Sequence, residues 1–255
     1  MTRSLRRRGL LAMAAAVLLL AAPAGADDTS LQKRVEARLH KADLDREGEI
    51  HVSVDTGQVT LTGGVRTLDA FRRAEKAAAK ESKRVVNRIE VLPEPRSDAS
   101  IREAAADAVL GYAWYTVFDD VELGVQDGVV LLRGSVQQPN RKQEIEDRLA
   151  RIDGVRAIVN EMRVQPVSPL DDQIRRELYQ AIYRSDRFVQ YANRVQPPIR
   201  IVVENGNVTL AGWVSSRVDR VLLGSIARST AAFGVDNQLR VDGESAEERG
   251  RSTQG

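Results

Sequence analysis

The stretch GQVTLTGGV at residues 57–65 returns as GVVLLRGSV at 128–136 and again as GNVTLAGWV at 206–214. A second landmark follows each copy: VVNRIEV at 85–91, IVNEMRV at 158–164 and VDNQLRV at 235–241. The glycines that open the first landmark, Gly57, Gly128 and Gly206, are 71 and 78 residues apart. The asparagines of the second, Asn87, Asn160 and Asn237, are 73 and 77 apart. Two independent markers with nearly one period mean that a single unit is written three times. The period exceeds that of solenoid repeats and suits a small domain able to bury its own core, though only just.

Each unit reads in one order. Leu31, Val35 and Leu39 fall at i, i+4 and i+8, one face of a helix, as do Ile101, Ala105 and Val109, then Ile174, Leu178 and Ile182. Ser100 with Glu103 reads as a capping box, and Ser168-Pro169 sets a cap before a first-turn proline. The alternating strands IHVSV, VELGV and IRIVV come next. Thr56-Gly57, Asp127-Gly128 and Asn205-Gly206 then form tight hairpin turns, and the repeated nonapeptide is the return strand. A second helix follows, with apolar faces Leu68-Phe71-Ala74-Ala78, Ile145-Leu149-Ile152 and Val218-Val221-Leu222-Ser225, the third capped by Ser216 with Asp219. The asparagine landmark is a last strand. The expected fold is α+β: three tandem α-β-β-α-β units, each a three-stranded mixed sheet with two helices on one face.

The ends and joints follow from composition. Residues 1–26 carry Arg3, Arg6, Arg7 and Arg8, an apolar run and an Ala24-Gly25-Ala26 cleavage site, which read as a secretory signal peptide. Arg7-Arg8 resembles a twin-arginine signal only loosely. The chain has no cysteine, which excludes disulfides, thiolate metal sites and a lipoprotein anchor. Prolines 93 and 95, then 166 and 169, mark short linkers. The units therefore run over 29–93, 98–166 and 169–242, with a polar tail at 243–255 expected to be disordered. The full chain holds 38 basic and 36 acidic residues; loss of four leader arginines leaves 34 against 36, so nothing global favours nucleic acid.

With these residues in view, the chain resembles the BON domain family of bacterial envelope proteins over residues 29–242. Gly154-Val155 matches the family's Gly-Val ahead of the last strand. Unit one has Ser82-Lys83-Arg84 there, and unit three has Gly234-Val235 pushed against the strand. The resemblance implies a periplasmic, stress-related protein with proposed phospholipid binding and no enzymatic activity.

The repeated strand face (Val59, Leu61, Gly63, Val65 and its copies through Gly134 and Gly212) is expected to pack on the helices, with the third-position glycine admitting a helix closely. Asn87 and its counterparts are expected to bond backbone near the entry to the last strand. Function is sought where the units differ. The opposite strand face is polar in unit one, carries Val129 and Leu131 in unit two, and ends in Trp213 in unit three. The expected cover for Val129 and Leu131 is unit three.

Tyr112, Trp114, Tyr115 and Phe118 put four of the chain's eleven aromatics into seven residues. Phe188 and Tyr191, with Arg194 beside them, form a second aromatic insert. Tyrosine and tryptophan pair an apolar body with a polar tip, which suits a membrane interface, and arginine suits anionic headgroups. These segments are the candidate lipid- or partner-binding sites, set against the plainer reading that they pack on a core. Unit one's helices carry many Lys and Arg residues interleaved with Glu36, Glu75 and Glu81, which reads as a solvated face. No nucleophile elbow, HExxH, P-loop or GxGxxG occurs, and two histidines do not build a metal centre, so neither catalysis nor a cofactor is expected. The leading expectation is a periplasmic module on anionic phospholipid surfaces; the alternative is a protein–protein scaffold in the envelope.

Overall fold

A computed structural model describes residues 26–194 and 196–243. The proposed signal peptide, apart from its last residue, and the tail after Gly243 lie outside the described residues.

Unit one comprises α1 (Ala26–Lys41), the hairpin β1 (Gly48–Asp55) and β2 (Gln58–Val65), α2 (Leu68–Ala79) and β3 (Val85–Val91). Unit two repeats this as α3 (Asp98–Leu110), β4 (Asp120–Gln126), β5 (Val129–Val136) and α4 (Pro139–Leu149), with a last strand split into β6 (Ala157–Asn160) and β7 (Arg163–Val164). Unit three has α5 (Pro169–Tyr183), a 3-10 turn at Asp186–Phe188, α6 (Val189–Ala192), β8 (Ile199–Glu204), β9 (Asn207–Val214), α7 (Arg217–Arg228), β10 (Gly234–Asn237) and β11 (Arg240–Val241). In each sheet the motif strand is central, antiparallel to the first strand and parallel to the last. The split strands hold one register: β6 and β7, like β10 and β11, are two parts of one edge. The α+β fold expected from the sequence is the observed one.

The hairpin turns are built alike. Thr56, Asp127 and Asn205 have φ of 48°, 51° and 52°, and the glycine after each is also positive. Two consecutive positive φ values are what a type I′ turn needs. A carboxylate holds each turn. Asp28, Asp98 and Asp171, in the first turn of α1, α3 and α5, each accept both turn N–H groups. Those donors hold the Asp98 carboxyl below its usual range.

The third-position glycines serve a different neighbour from the one expected. Gly63, Gly134 and Gly212 have φ of 112°, 96° and 101°. A Cβ there would lie 2.0, 2.2 and 1.9 Å from the carbonyl oxygens of Glu49, Asp120 and Pro198. The close approach is therefore to the facing strand rather than to a helix. The asparagines tie the last strand to the second helix. Asn87, Asn160 and Asn237 donate to the carbonyls of Phe71, Lys142 and Arg220 and accept from the N–H two residues on.

Two helix details differ from the sequence reading. α3 is capped by Ser97, whose hydroxyl accepts from Ser100 N, so the helix starts one turn earlier. α7 buries Leu223, Gly224 and Ala227, while Val218 and Val221 face solvent. The rotation has a cause at Gly224: any Cβ there would lie 2.6 Å from the Asn237 amide, so Gly224 admits the strand's asparagine.

The units share their cores. Leu68 at the start of α2 belongs to the core of unit two, and Val117 of unit two belongs to the core of unit three. Asp69 N donates to Ala150 O at 2.9 Å, and Arg72 pairs with Glu146 at 2.5 Å across the first joint.

Candidate functional site

The segment between α3 and β4 carries the first aromatic cluster, and the structure sorts its members. Tyr112 is buried in the core of unit two, and its hydroxyl donates to Glu144 at 2.5 Å. Burial, reinforced by Glu144, pushes that phenol up to about 12. Tyr115 is half-buried under the guanidinium of Arg200, which sits 4.6 Å from the ring centroid. Its phenol is likewise pushed up to about 12 by burial. Phe118 packs on the core of unit three, with Tyr179 at 6.0 Å between ring centroids. Trp114 alone of the four projects, at 66% exposed.

Asp119 roots this segment. It is fully buried and accepts from Thr116 N, Thr116 Oγ1 and Gln137 N at 2.9 Å each. Its ion pair with Arg141 spans 2.5 Å. Each carboxylate oxygen is thus matched, which a buried charge requires.

The second aromatic insert is structural. Phe188 and Tyr191 are both buried in unit three's core. The Tyr191 hydroxyl donates to Asp219 at 2.7 Å and accepts from Ser215 N at 2.8 Å, fixing α6 to the start of α7. Arg194 is exposed.

Together these contacts form the joint between units two and three. Ile201 N donates to Val117 O at 2.7 Å, carrying a backbone bond from β8 to the aromatic segment. Gln165 donates to Phe118 O at 2.7 Å and accepts from Arg175 at 2.8 Å. Beside this joint lies a cleft of about 490 Å3. Asp120 and Glu122 line one wall, and Trp213 and Arg240 line the other. Trp213 is 45% exposed, with the Arg240 guanidinium 5.4 Å from its ring centroid. Burial, then the charge of Glu122, raises the Asp120 carboxyl above its usual range, opposed by Arg200 and Arg240.

The eight candidate residues therefore do not form one surface. Tyr112, Phe188 and Tyr191 are core; Tyr115 and Phe118 face the joint; Trp114, Trp213 and Arg194 reach solvent. Val129 and Leu131 belong to none of the three hydrophobic cores and stay half-buried, with Val159 beside them 44% exposed. Unit three is held by the aromatic segment instead of by that sheet face. The sequence reading missed the turn-holding aspartates, the Asp119–Arg141 pair and Arg200. Only the first left a signal: Asp28, Asp98 and Asp171 are spaced by 70 and 73 residues, close to the repeat itself.

Among the described residues no helix is long and apolar enough to cross a membrane, and no cluster of three or more His, Asp or Glu side chains is placed to hold a metal.

Comparison with known proteins adds the lineage. The chain is 26% identical to osmotically-inducible protein Y of Escherichia coli (strain K12) over 155 residues, 54% of this chain and 73% of that protein. Two solved structures are distant likenesses. The C-terminal domain of CdsD, a structural protein of the Chlamydia trachomatis type III secretion system, aligns at 12% identity and a TM-score of 0.26, over 82% of this chain and 96% of that one. The periplasmic domain of the S. typhimurium inner-membrane protein PrgH aligns at 13% identity and a TM-score of 0.20, over 79% and 100%. Likeness at that level carries no argument here. The family model for the BON domain, by contrast, matches residues 27–93, 97–166 and 171–243, so that the repeat seen first as three nonapeptides accounts for most of the sequence and the chain belongs to the BON domain family.

Proposed function

We propose that this chain is a non-enzymatic periplasmic protein that associates with phospholipid membrane surfaces and supports the cell envelope under stress, osmotic stress in particular. The name of the Escherichia coli relative supports the stress assignment. One observation carries the membrane reading: Trp114 is 66% exposed on a segment whose neighbours Tyr112, Tyr115 and Phe118 are all anchored. A projecting indole on a rigid root enters a headgroup layer without paying to order a loop. Arg194, also exposed, suits anionic lipid.

The test is flotation with vesicles of anionic or zwitterionic phospholipid. Binding is expected with anionic vesicles, with a blue-shifted tryptophan emission. Trp114→Ala is expected to weaken it by about 1.5 kcal/mol, roughly tenfold. Failure of the wild-type protein to float with any mixture at low salt would sink the reading.

A second reading has its own support. Val129, Leu131 and Val159 leave a small apolar patch on the outer sheet face of unit two, suited to holding another envelope protein. Salt separates the two, because headgroup attraction weakens with screening and an apolar interface persists.

A further inference from the structure

Between α1 and α2 of unit one lies a groove of about 320 Å3. Five cationic side chains line it: Arg38 and Lys41 from α1, with Arg73, Lys76 and Lys80 from α2 and its C-cap. Ala42 and Ala77 complete the lining, and no carboxylate is part of it.

Two of the cations are engaged. Arg38 bonds Glu81 at 2.7 Å. Arg73 donates to Ala42 O and lies 3.4 Å from Asp69. Lys41, Lys76 and Lys80 are exposed and form no ion pair among the described residues. Three unneutralised ammonium groups around one groove repel one another, and an anion between them removes that repulsion.

The ordinary explanation for such charges is compensation of a helix C-terminus. It does not account for this groove. Three carbonyls in the last turn of α1 already have backbone donors: Arg38 O accepts from Ala42 N, Leu39 O from Ala42 N and Leu44 N, and His40 O from Asp43 N; just past the helix, Ala42 O accepts from Arg73. The equivalent helices α3 and α5 end with no basic residue in their last turns. Single basic residues recur at other helix ends, Arg184 at the C-cap of α5 and Arg148 and Arg228 in the last turns of α4 and α7; what is particular to unit one is that Lys41, Lys76 and Lys80 gather around one groove.

We propose that the groove between α1 and α2 binds a phosphate-class anion, held by Lys41, Lys76 and Lys80. Lysine serves this role as a mobile point charge with three donors. The anion is either a free phosphate or a phospholipid headgroup; the chemistry is shared. The inference goes beyond the membrane reading, which rests on Trp114 in unit two, and stands without it.

The experiment uses two probes: inorganic phosphate, followed by the backbone amide NMR shifts of Ala42 and Ala77 at fixed ionic strength, and vesicles of phosphatidylglycerol with phosphatidylethanolamine, followed by flotation. Two triple variants remove equal charge. One is Lys41→Gln, Lys76→Gln and Lys80→Gln. The other, outside the groove, is Arg88→Gln, Arg96→Gln and Arg156→Gln, all exposed positions. All six sites are on the surface, so both variants are expected to fold, checked by circular dichroism. Saturable binding of either probe is expected, abolished for phosphate or weakened about a hundredfold for vesicles in the groove variant, since each lysine contributes roughly fivefold at an anionic surface. The second variant is expected to stay near wild type. Response to phosphate alone identifies a soluble ligand, and response to vesicles alone identifies a headgroup. Binding of neither probe, or equal losses in the two variants, overturns the proposal. Trp114→Ala is expected to leave the phosphate shifts intact, so loss of the membrane reading is distinguishable from loss of this one.

Discussion

Asp171 shows what a single residue does in this fold. It is fully buried, and its two oxygens accept from Asn205 N at 2.9 Å and Gly206 N at 2.6 Å. Without it, two donors of a type I′ turn lose their partner, the Gly206 N–H in a buried position and the Asn205 N–H in a part-buried one. Asp171→Ala is expected to cost about 3 kcal/mol, two charge-assisted bonds at the lower end of their range. Chemical denaturation followed by tryptophan emission checks this, because Trp213 lies in unit three. Asp28→Ala removes the same bonds from a half-buried position and is expected to cost less. An equal loss at both sites would mean that burial is not what sets the cost. The glycines at 63, 134 and 212 are equally local in effect. Each lets two strands meet where a side chain would strike a carbonyl oxygen.

At the level of elements, the segment at 111–118 is the one that changes meaning between sequence and structure. Four aromatics within seven residues look like a surface insert, yet three of them are tied down and only Trp114 is not. Asp119 is the tie. Asp119→Ala leaves Arg141 buried without its counter-charge, and breaking such a pair typically costs about 4 kcal/mol. The expected signs are a lower unfolding midpoint and a faster depolarisation of Trp114 emission, since the segment loses its anchor. A variant with unchanged stability and unchanged Trp114 anisotropy would show that the neighbouring contacts hold the segment alone. The helices make a related point. α7 follows its predicted span but not its predicted face, because the Asn237 amide selects Gly224 as its neighbour. Propensity sets where that helix runs, and a strand residue sets how it is turned.

For the whole molecule, the joint between units two and three is the sensitive place. Asp120 lines the cleft there, and burial raises its carboxyl above the unfolded range. A raised folded value means that the protonated form fits the fold better. Its favourable contribution is complete below the unfolded carboxylate range and is lost as pH rises through the folded value, so at neutral pH the charge is a liability. Asp120→Asn is therefore expected to raise the melting temperature at neutral pH, with the gain shrinking as the solution is acidified toward the carboxylate range. Thermal melts across pH check this, and a variant less stable than wild type at neutral pH would reverse the sign. The same joint buries Tyr115 beneath Arg200, so the aromatic segment of one unit has become the docking surface for the next.

The sequence by itself determined the units, their order, the turns and the inward strand face. Those features rest on contacts within a few residues: period-two and helical spacing, caps, and glycine where φ must be positive. Ser168 and Ser216 cap their helices as read, and the α-β-β-α-β order holds three times. The tertiary structure alone decided which aromatics reach solvent, how α7 is turned and which cations share a groove. Tyr112 depends on Glu144, Tyr115 on Arg200, and Val117 on Ile201. Lys41 meets Lys76 and Lys80 only because α1 packs on α2. Such partners are dozens of residues apart along the chain, and no local pattern records which distant side chain folding brings to them.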